Sequence, residues 1–198
     1  MIVLDIETTG LEAASNGLLS IGAVDFLYPG RTFYGECRIR HGELIVPEAL
    51  AINGFSAAEA RNRGKMSTRQ LLVAFRQWLE TRRVKVIAGL HIAAFDVPFL
   101  NAKAQQCRVG LKLHRRSIDL HSLAYAKMLQ LKKVVPLTDG WSVMDTDAIH
   151  PFCGLPKEPR PHHALSGAKW EAESMHRLIY GRPLLKEFAR YAVPNHLR

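Results

Sequence analysis

Apolar and polar positions along the 198-residue chain change period several times, and each change marks an element. Met1–Asp5 is a short β-branched apolar run that ends on an acid. Leu18–Phe26 and Thr32–Ile39 repeat the strand signature, with Pro29-Gly30 as the turn between them, so the chain is expected to open as a three-strand meander. Val84–Ala88 reads as a buried strand ended by Gly89, and Arg116–Leu120 as a short one with Asp119 at its end. Elsewhere the period lengthens to 3.6. Leu71, Leu72, Phe75, Trp78 and Leu79 line one helix face behind a cap at Ser67 or Thr68. Further helices are expected over Pro47–Ile52, Val97–Gln106, Ser122–Leu131, Ala164–Tyr180 and Leu184–Tyr191. Pro136–Pro161 holds five of the ten prolines and few periodic positions, so it reads as a long surface loop. Strands first, then strands alternating with helices, predict an α/β domain: a mixed sheet (antiparallel meander plus parallel strands) flanked by helices. Residues 1–198 are expected to form a single domain.

Composition narrows the class. With 47% hydrophobic and 23% charged residues, the chain is neither disordered nor a coiled coil. No apolar run approaches the roughly 18 residues of a membrane span, so no membrane partner is expected. Met1–Asp5 lacks the basic-then-apolar order of a secretory leader. Three cysteines (Cys37, Cys107, Cys153) form no CxxC pair and read as reduced thiols, which implies a cytoplasmic setting. Charge adds more because it is uneven. Residues 1–60 carry 3 basic and 8 acidic residues, while the rest carries 24 basic and 10 acidic within a net charge of +9. A basic excess of this size suits a polyanionic partner such as nucleic acid.

The acidic N-terminal third contains the candidate chemistry. Asp5 and Glu7 sit two apart on a strand, so both leave the same face. Adjacent carboxylates repel, and cations between them relieve that repulsion; a solvated strand end is the alternative reading. Asp96 begins a helix among apolar neighbours, where the helix dipole favours an acid. Pro161-His162-His163-Ala164 leads into the last long helix. His150, Cys153, His162 and His163 offer a rival set of nitrogen and sulfur ligands suited to zinc. Phe75, Trp78 and Trp170 read as core.

Three ordered motifs together resemble the DnaQ-like 3′–5′ exonucleases of the RNase H-like fold, in the branch whose general base is histidine (DEDDh). The first reads Val3-Leu4-Asp5-Ile6-Glu7-Thr8-Thr9-Gly10-Leu11, and the second Ala88-Gly89-Leu90-His91-Ile92-Ala93-Ala94-Phe95-Asp96-Val97-Pro98-Phe99-Leu100. The third is Pro161–Ala168, and Val46–Phe55 looks like the family's connecting segment. There are two departures: His91 stands where the family usually has Asn, and Gly167 stands where it has the fourth metal-binding Asp.

The resemblance implies an RNase H-like α/β fold and a metal-dependent enzyme that hydrolyses phosphodiesters from the 3′ end of DNA or RNA. It implies two Mg²⁺ or Mn²⁺ ions held by Asp5, Glu7 and Asp96, with His162 as general base and His163 as runner-up. Thr8 and Leu11 are expected to hold the terminal nucleotide, and the basic residues after 60 to track the phosphates. Glu171, one helical turn past Gly167, is either a surrogate ligand or an exposed partner of a Lys or Arg. If Gly167 merely lacks its carboxylate, Gly167→Asp is expected to raise turnover. With one ligand missing, the alternative function is a nucleic-acid 3′-end-binding module without catalysis. Homodimers are common among small proteins of this kind, so a second copy is among the expected partners.

Overall fold

The computed structural model describes residues 1–198. A six-stranded sheet forms the centre, in the order β4 (Met66–Ser67), β3 (Thr32–Arg38), β2 (Leu18–Asp25), β1 (Ile2–Thr8), β5 (Ile87–Gly89), β6 (Ile118–Asp119). Its first three strands are β1 (Ile2–Thr8), β2 (Leu18–Asp25) and β3 (Thr32–Arg38), an antiparallel meander. The short helices α1 (Pro47–Asn53) and α2 (Ala57–Ala60) follow, then β4 (Met66–Ser67), parallel to β3. Helix α3 (Thr68–Glu80) leads to β5 (Ile87–Gly89), which runs parallel to β1. Helix α4 (Asp96–Gln106), β6 (Ile118–Asp119) and α5 (Leu120–Gln130) extend the parallel side. A hairpin of β7 (Leu137–Thr138) and β8 (Trp141–Ser142) precedes α6 (Thr146–Phe152) and the long α7 (Ala164–Tyr180). This is the expected mixed α/β sheet flanked by helices.

The alternation of β1 sorts its side chains onto two faces. Ile2, Leu4 and Ile6 pack with Leu71, Leu72 and Phe75 of α3 and with Phe99 and Leu100 of α4. Val3 packs with Ala168, Ala172 and Met175 of α7 on the other face. Asp5 and Glu7 share that second face. Gly22 is the cross-strand partner of Asp5, and a side chain there would run into the backbone of Ala164 and Leu165. The bare glycine therefore lets the first turn of α7 settle directly on the sheet beside Asp5.

Three expectations need correction. Val84–Val86 are not part of the buried strand: pairing with β1 begins at Ile87, and Val86 contributes only a carbonyl to the Ile2 N–H. The segment Pro136–Pro161 is not one loop. Asp145 caps α6 by accepting from the Ala148 N–H, and Ile149 anchors that helix in the core. Leu184–Tyr191 is not an α-helix but a 3₁₀ turn over Lys186–Phe188, because side chains take its backbone groups. The Glu173 carboxylate accepts from the N–H groups of Leu184 and Leu185, while Arg177 donates to the carbonyls of Phe188 and Tyr191. No helix is long and apolar enough to cross a membrane.

Candidate active site

Four backbone segments converge on one cleft of about 270 Å³ at the C-terminal end of β1. Asp5 comes from β1, Asp96 from the first residue of α4, Glu171 from α7, and Glu158 and His162 from the segment before α7. Glu7 lies on the same face of β1, close enough for its charge to act on Asp5. Glu171 is buried, and one of its oxygens accepts a 3.0 Å bond from the Leu90 N–H. The alternative of an exposed partner for Lys or Arg is thereby overturned. None of these five carboxylates has a Lys or Arg within ion-pair distance.

Burying like charges without a counter-charge has a physical signature. Burial, reinforced by Glu171, Glu7 and Asp96, pushes the Asp5 carboxyl well above the ordinary carboxylate range. Glu171 is raised in the same way, by burial first and then by Asp96. Burial together with Glu158 and Asp96 lifts Glu7 to about 8. Asp96 is lifted to about 7 by burial, against the pull of the Ile6 N–H and its own. Burial also lifts Glu158 to about 7, with Asp147 adding to it. The carboxylates ring the cleft rather than standing gathered at metal-ligating spacing. Oxygen-only donors carrying excess negative charge are the donor set that hard divalent cations take, so the residues present fit such a group.

Gly167 occupies the first turn of α7 at closest approach to Asp5. A Cβ built there would collide with the Asp5 carboxylate and lie 3.5 Å from a Glu158 oxygen. The space that the expected fourth acid would enter is therefore filled by Asp5 itself, with Glu158 alongside. A carboxylate added at Gly167 has to displace the Asp5 side chain before it can serve as a ligand. Sequence reasoning missed Glu158, and its only signal was an acid four residues before His162 in a segment read as loop.

His162 lines the cleft and is fixed through its backbone N–H, which donates to the Ile52 carbonyl at 2.9 Å. Burial lowers its pKa and Arg160 adds to the effect, which favours the neutral imidazole that can accept a proton. His163 is committed elsewhere: its Nδ1 caps α7 by accepting from the Ser166 N–H, and its ring stacks on Tyr34 at 4.3 Å. The zinc alternative dissolves for a related reason. His150 and Cys153 are buried and both bond to Ser174, far in role from the cleft that His162 lines. His91, the other departure, lines the cleft in a left-handed backbone conformation (φ 49°) with its ring 5.4 Å from that of His121.

Thr8 and Leu11 bracket the turn after β1. The Thr8 hydroxyl is buried and donates to the Gly10 carbonyl at 2.8 Å, which shapes the turn after β1. Leu11, at the tip of that turn, is 77% exposed.

Comparison with known proteins bears on the family and the fold. The family model described as Exonuclease (RNase T) matches residues 2–173. Ribonuclease T of Vibrio campbellii is 28% identical over 120 residues, 54% of this chain and 56% of the relative. Ribonuclease T of Cronobacter sakazakii is 32% identical over 123 residues, 56% of this chain and 54% of the relative. The chain thus spans about half the length of the curated relatives it matches. Among solved structures, E. coli Exonuclease I in complex with a 5cy-dT13 oligonucleotide superposes with a TM-score of 0.71 at 19% identity, covering 91% of this chain and 40% of that one. The zinc-ion-bound form of the E. coli Exonuclease I–ssDNA complex gives 0.70 at 17% identity, with the same coverage. At these identities the structural likeness establishes the fold.

Proposed function

The chain belongs to the RNase T exonuclease family, and from that premise we propose that residues 1–198 form one divalent-metal-dependent 3′–5′ exonuclease domain acting on nucleic acid. The observation that carries this reading is the carboxylate cluster of buried Glu7, Asp96 and Glu171 with half-buried Asp5 and Glu158, which has no cationic side chain to balance it.

Asp5, Glu7 and Asp96 would hold the cations, with Glu171 as the surrogate for the carboxylate that Gly167 lacks and Glu158 beside it. An all-oxygen set suits Mg²⁺ or Mn²⁺. When bound, such ions supply charge neutralisation at the phosphodiester and a more acidic attacking water. His162 takes the proton from that water through its neutral imidazole, and its backbone bond to Ile52 keeps the ring at the cleft. Leu11 packs under the terminal base, on a turn stiffened by the Thr8 hydroxyl. Leu90 holds Glu171 in place through its backbone N–H, and so orients one wall of the cleft.

A 3′-labelled and a 5′-labelled oligonucleotide, each incubated with Mg²⁺ and then Mn²⁺, test the proposal. Stepwise mononucleotide release from the 3′ end, abolished by excess chelator, is expected. Release that persists in chelator, or cutting of a circular substrate at the linear rate, overturns it. A 3′-end-binding module without catalysis is the second reading, favoured by Gly167. Tight binding of the 3′ end with no release under either ion decides for it.

A further inference from the structure

A second cleft, of about 570 Å³, lies at the far end of β3 and is lined by Arg38, Arg40, His41, Arg61 and Arg63. We propose that this arginine cleft binds the phosphate backbone of the same nucleic-acid strand, three to five nucleotides upstream of its 3′ end. The inference rests on the nucleic-acid reading of the acidic cleft and deepens it.

The cleft's charge is uncompensated. Its one acid, Glu43, is spent: one oxygen pairs with the buried Lys103 ammonium at 2.6 Å, and the other accepts from the Arg40 N–H at 2.7 Å. No carboxylate lies within ion-pair distance of any of the four guanidinium groups. Arg38 is held in place by donating to the carbonyls of Lys65 and Arg63, and Arg40 by donating to Gln106. Arg61 and Arg63 extend from an exposed loop with no bond to spend. Arg61 and Arg63, whose guanidinium groups are unengaged, and Arg38 and Arg40, each held through one nitrogen with the other left over, form a concave phosphate-binding surface.

Distance along the fold links the cleft to the site. Helix α1 starts three residues after Leu44, which lines the arginine cleft, and ends at Asn53, which donates to the Thr8 carbonyl. Its seven residues span about 10 Å. Helix α4 starts at Asp96 in the acidic cleft and ends at Gln106 against Arg40; its 11 residues span about 16 Å. The turn bearing Leu11 joins the two, with the Thr9 hydroxyl donating to the Leu44 carbonyl at 2.6 Å. At roughly 3.4 Å of rise per stacked nucleotide, 10–16 Å corresponds to about three to five nucleotides. A strand whose last base rests on Leu11 therefore reaches the arginines with its upstream phosphates.

The test measures binding of single-stranded trimers and 12-mers to the full chain carrying Asp5→Asn, so that hydrolysis does not intervene. Against this background, Arg61→Gln with Arg63→Gln should weaken 12-mer binding about tenfold at moderate salt. The slope of log affinity against log salt should fall by about 1.4, for two lost contacts to a single strand. Trimer binding should not change, since a trimer does not span the two clefts. Equal losses on both lengths, or no loss on either, overturn the proposal. Should the double variant melt below the parent, Arg40→Gln replaces it, with half the expected change in slope. If the wild-type chain digests 3′ ends and the arginine variant loses no affinity specific to the 12-mer, only the arginine cleft falls. If it binds by length and digests nothing, the exonuclease reading falls alone.

Discussion

Two glutamates of α7, two residues apart, are both buried and have opposite fates. Glu173 is fully buried against the Arg177 guanidinium at 2.6 Å and accepts from the N–H groups of Leu184 and Leu185. Both of its oxygens have partners, and Arg177 in turn ties down carbonyls of Cys153, Phe188 and Tyr191. Glu171 faces Asp96, Asp5 and Glu158 with a single backbone N–H for company. The first arrangement closes the C-terminal segment onto the helix. The second holds charge in a state that a bound cation would relieve. Burial alone does not separate a structural acid from a functional one; the presence of a counter-charge does.

Removing the counter-charge is the strongest way to break that contrast. Arg177→Met leaves Glu173 buried and unpaired and should cost about 3–5 kcal/mol of unfolding free energy, read by urea denaturation. Glu171→Gln should do the reverse in chelator, leaving stability unchanged or higher, while turnover with divalent cation falls about a hundredfold. A chelator-treated Glu171→Gln protein less stable than wild type would show that the two acids are alike after all.

Gly167→Ala sharpens the same comparison on the functional side. The added methyl meets the Asp5 carboxylate, so turnover should fall about tenfold to a hundredfold. The gain in helix propensity, up to about 1 kcal/mol, should keep the melting temperature near wild type. Gly167→Asp should follow the same direction rather than increase turnover. Steady-state rates at saturating cation decide both.

His150 separates the two regions by pH. Burial lowers its pKa to about 4, with Asp147 and Asp145 pulling weakly the other way. The unfolded imidazole takes its proton near 6.5, so between pH 6.5 and 4 the unfolded chain binds more protons and stability rises with pH. The stability it secures is present above pH 6.5 and lost as pH falls toward 4. Between pH 7 and 5 this amounts to on the order of 2 kcal/mol. His150→Gln should flatten that part of the stability–pH curve relative to wild type, as denaturation at several pH values would reveal.

The smallest effect is expected at Leu11. Its side chain is exposed, so Leu11→Ala should shift stability by no more than about 0.5 kcal/mol. KM for an oligonucleotide should rise a few-fold with kcat little changed, because the lost contact is a binding contact.

Much of the fold was legible in the sequence where pattern and partner are local. Helix α7 runs over Ala164–Tyr180 as its periodicity predicts, and the meander follows from β-branched runs separated by a turn. The failures share a cause. Leu184–Tyr191 carries a helical pattern, but its N–H and C=O groups go to Glu173 and Arg177, which lie on another element. Val84–Val86 looks like strand, yet no neighbouring strand reaches far enough to pair with it. In the site, Asp5, Glu7, Asp96 and His162 were readable because they sit in ordered motifs. Glu158 was not, since only the path of the chain before α7 brings it to the cleft. The charge asymmetry also misled in one respect: Arg38 and Arg40, two of the three basic residues in the acidic third, line the arginine cleft.

The sequence by itself determined the element order, the two-sided β1 and the presence of paired acids at its end, because strand alternation and helix periodicity are properties of adjacent residues. Tertiary structure decided which buried charges are compensated. Whether Glu171 meets a cation or an acid, how closely Gly167 approaches Asp5, and where the arginines gather depend on residues from about 20 to more than 160 positions apart. Coulomb interactions act through space and are set by distance and burial, neither of which a linear spacing encodes.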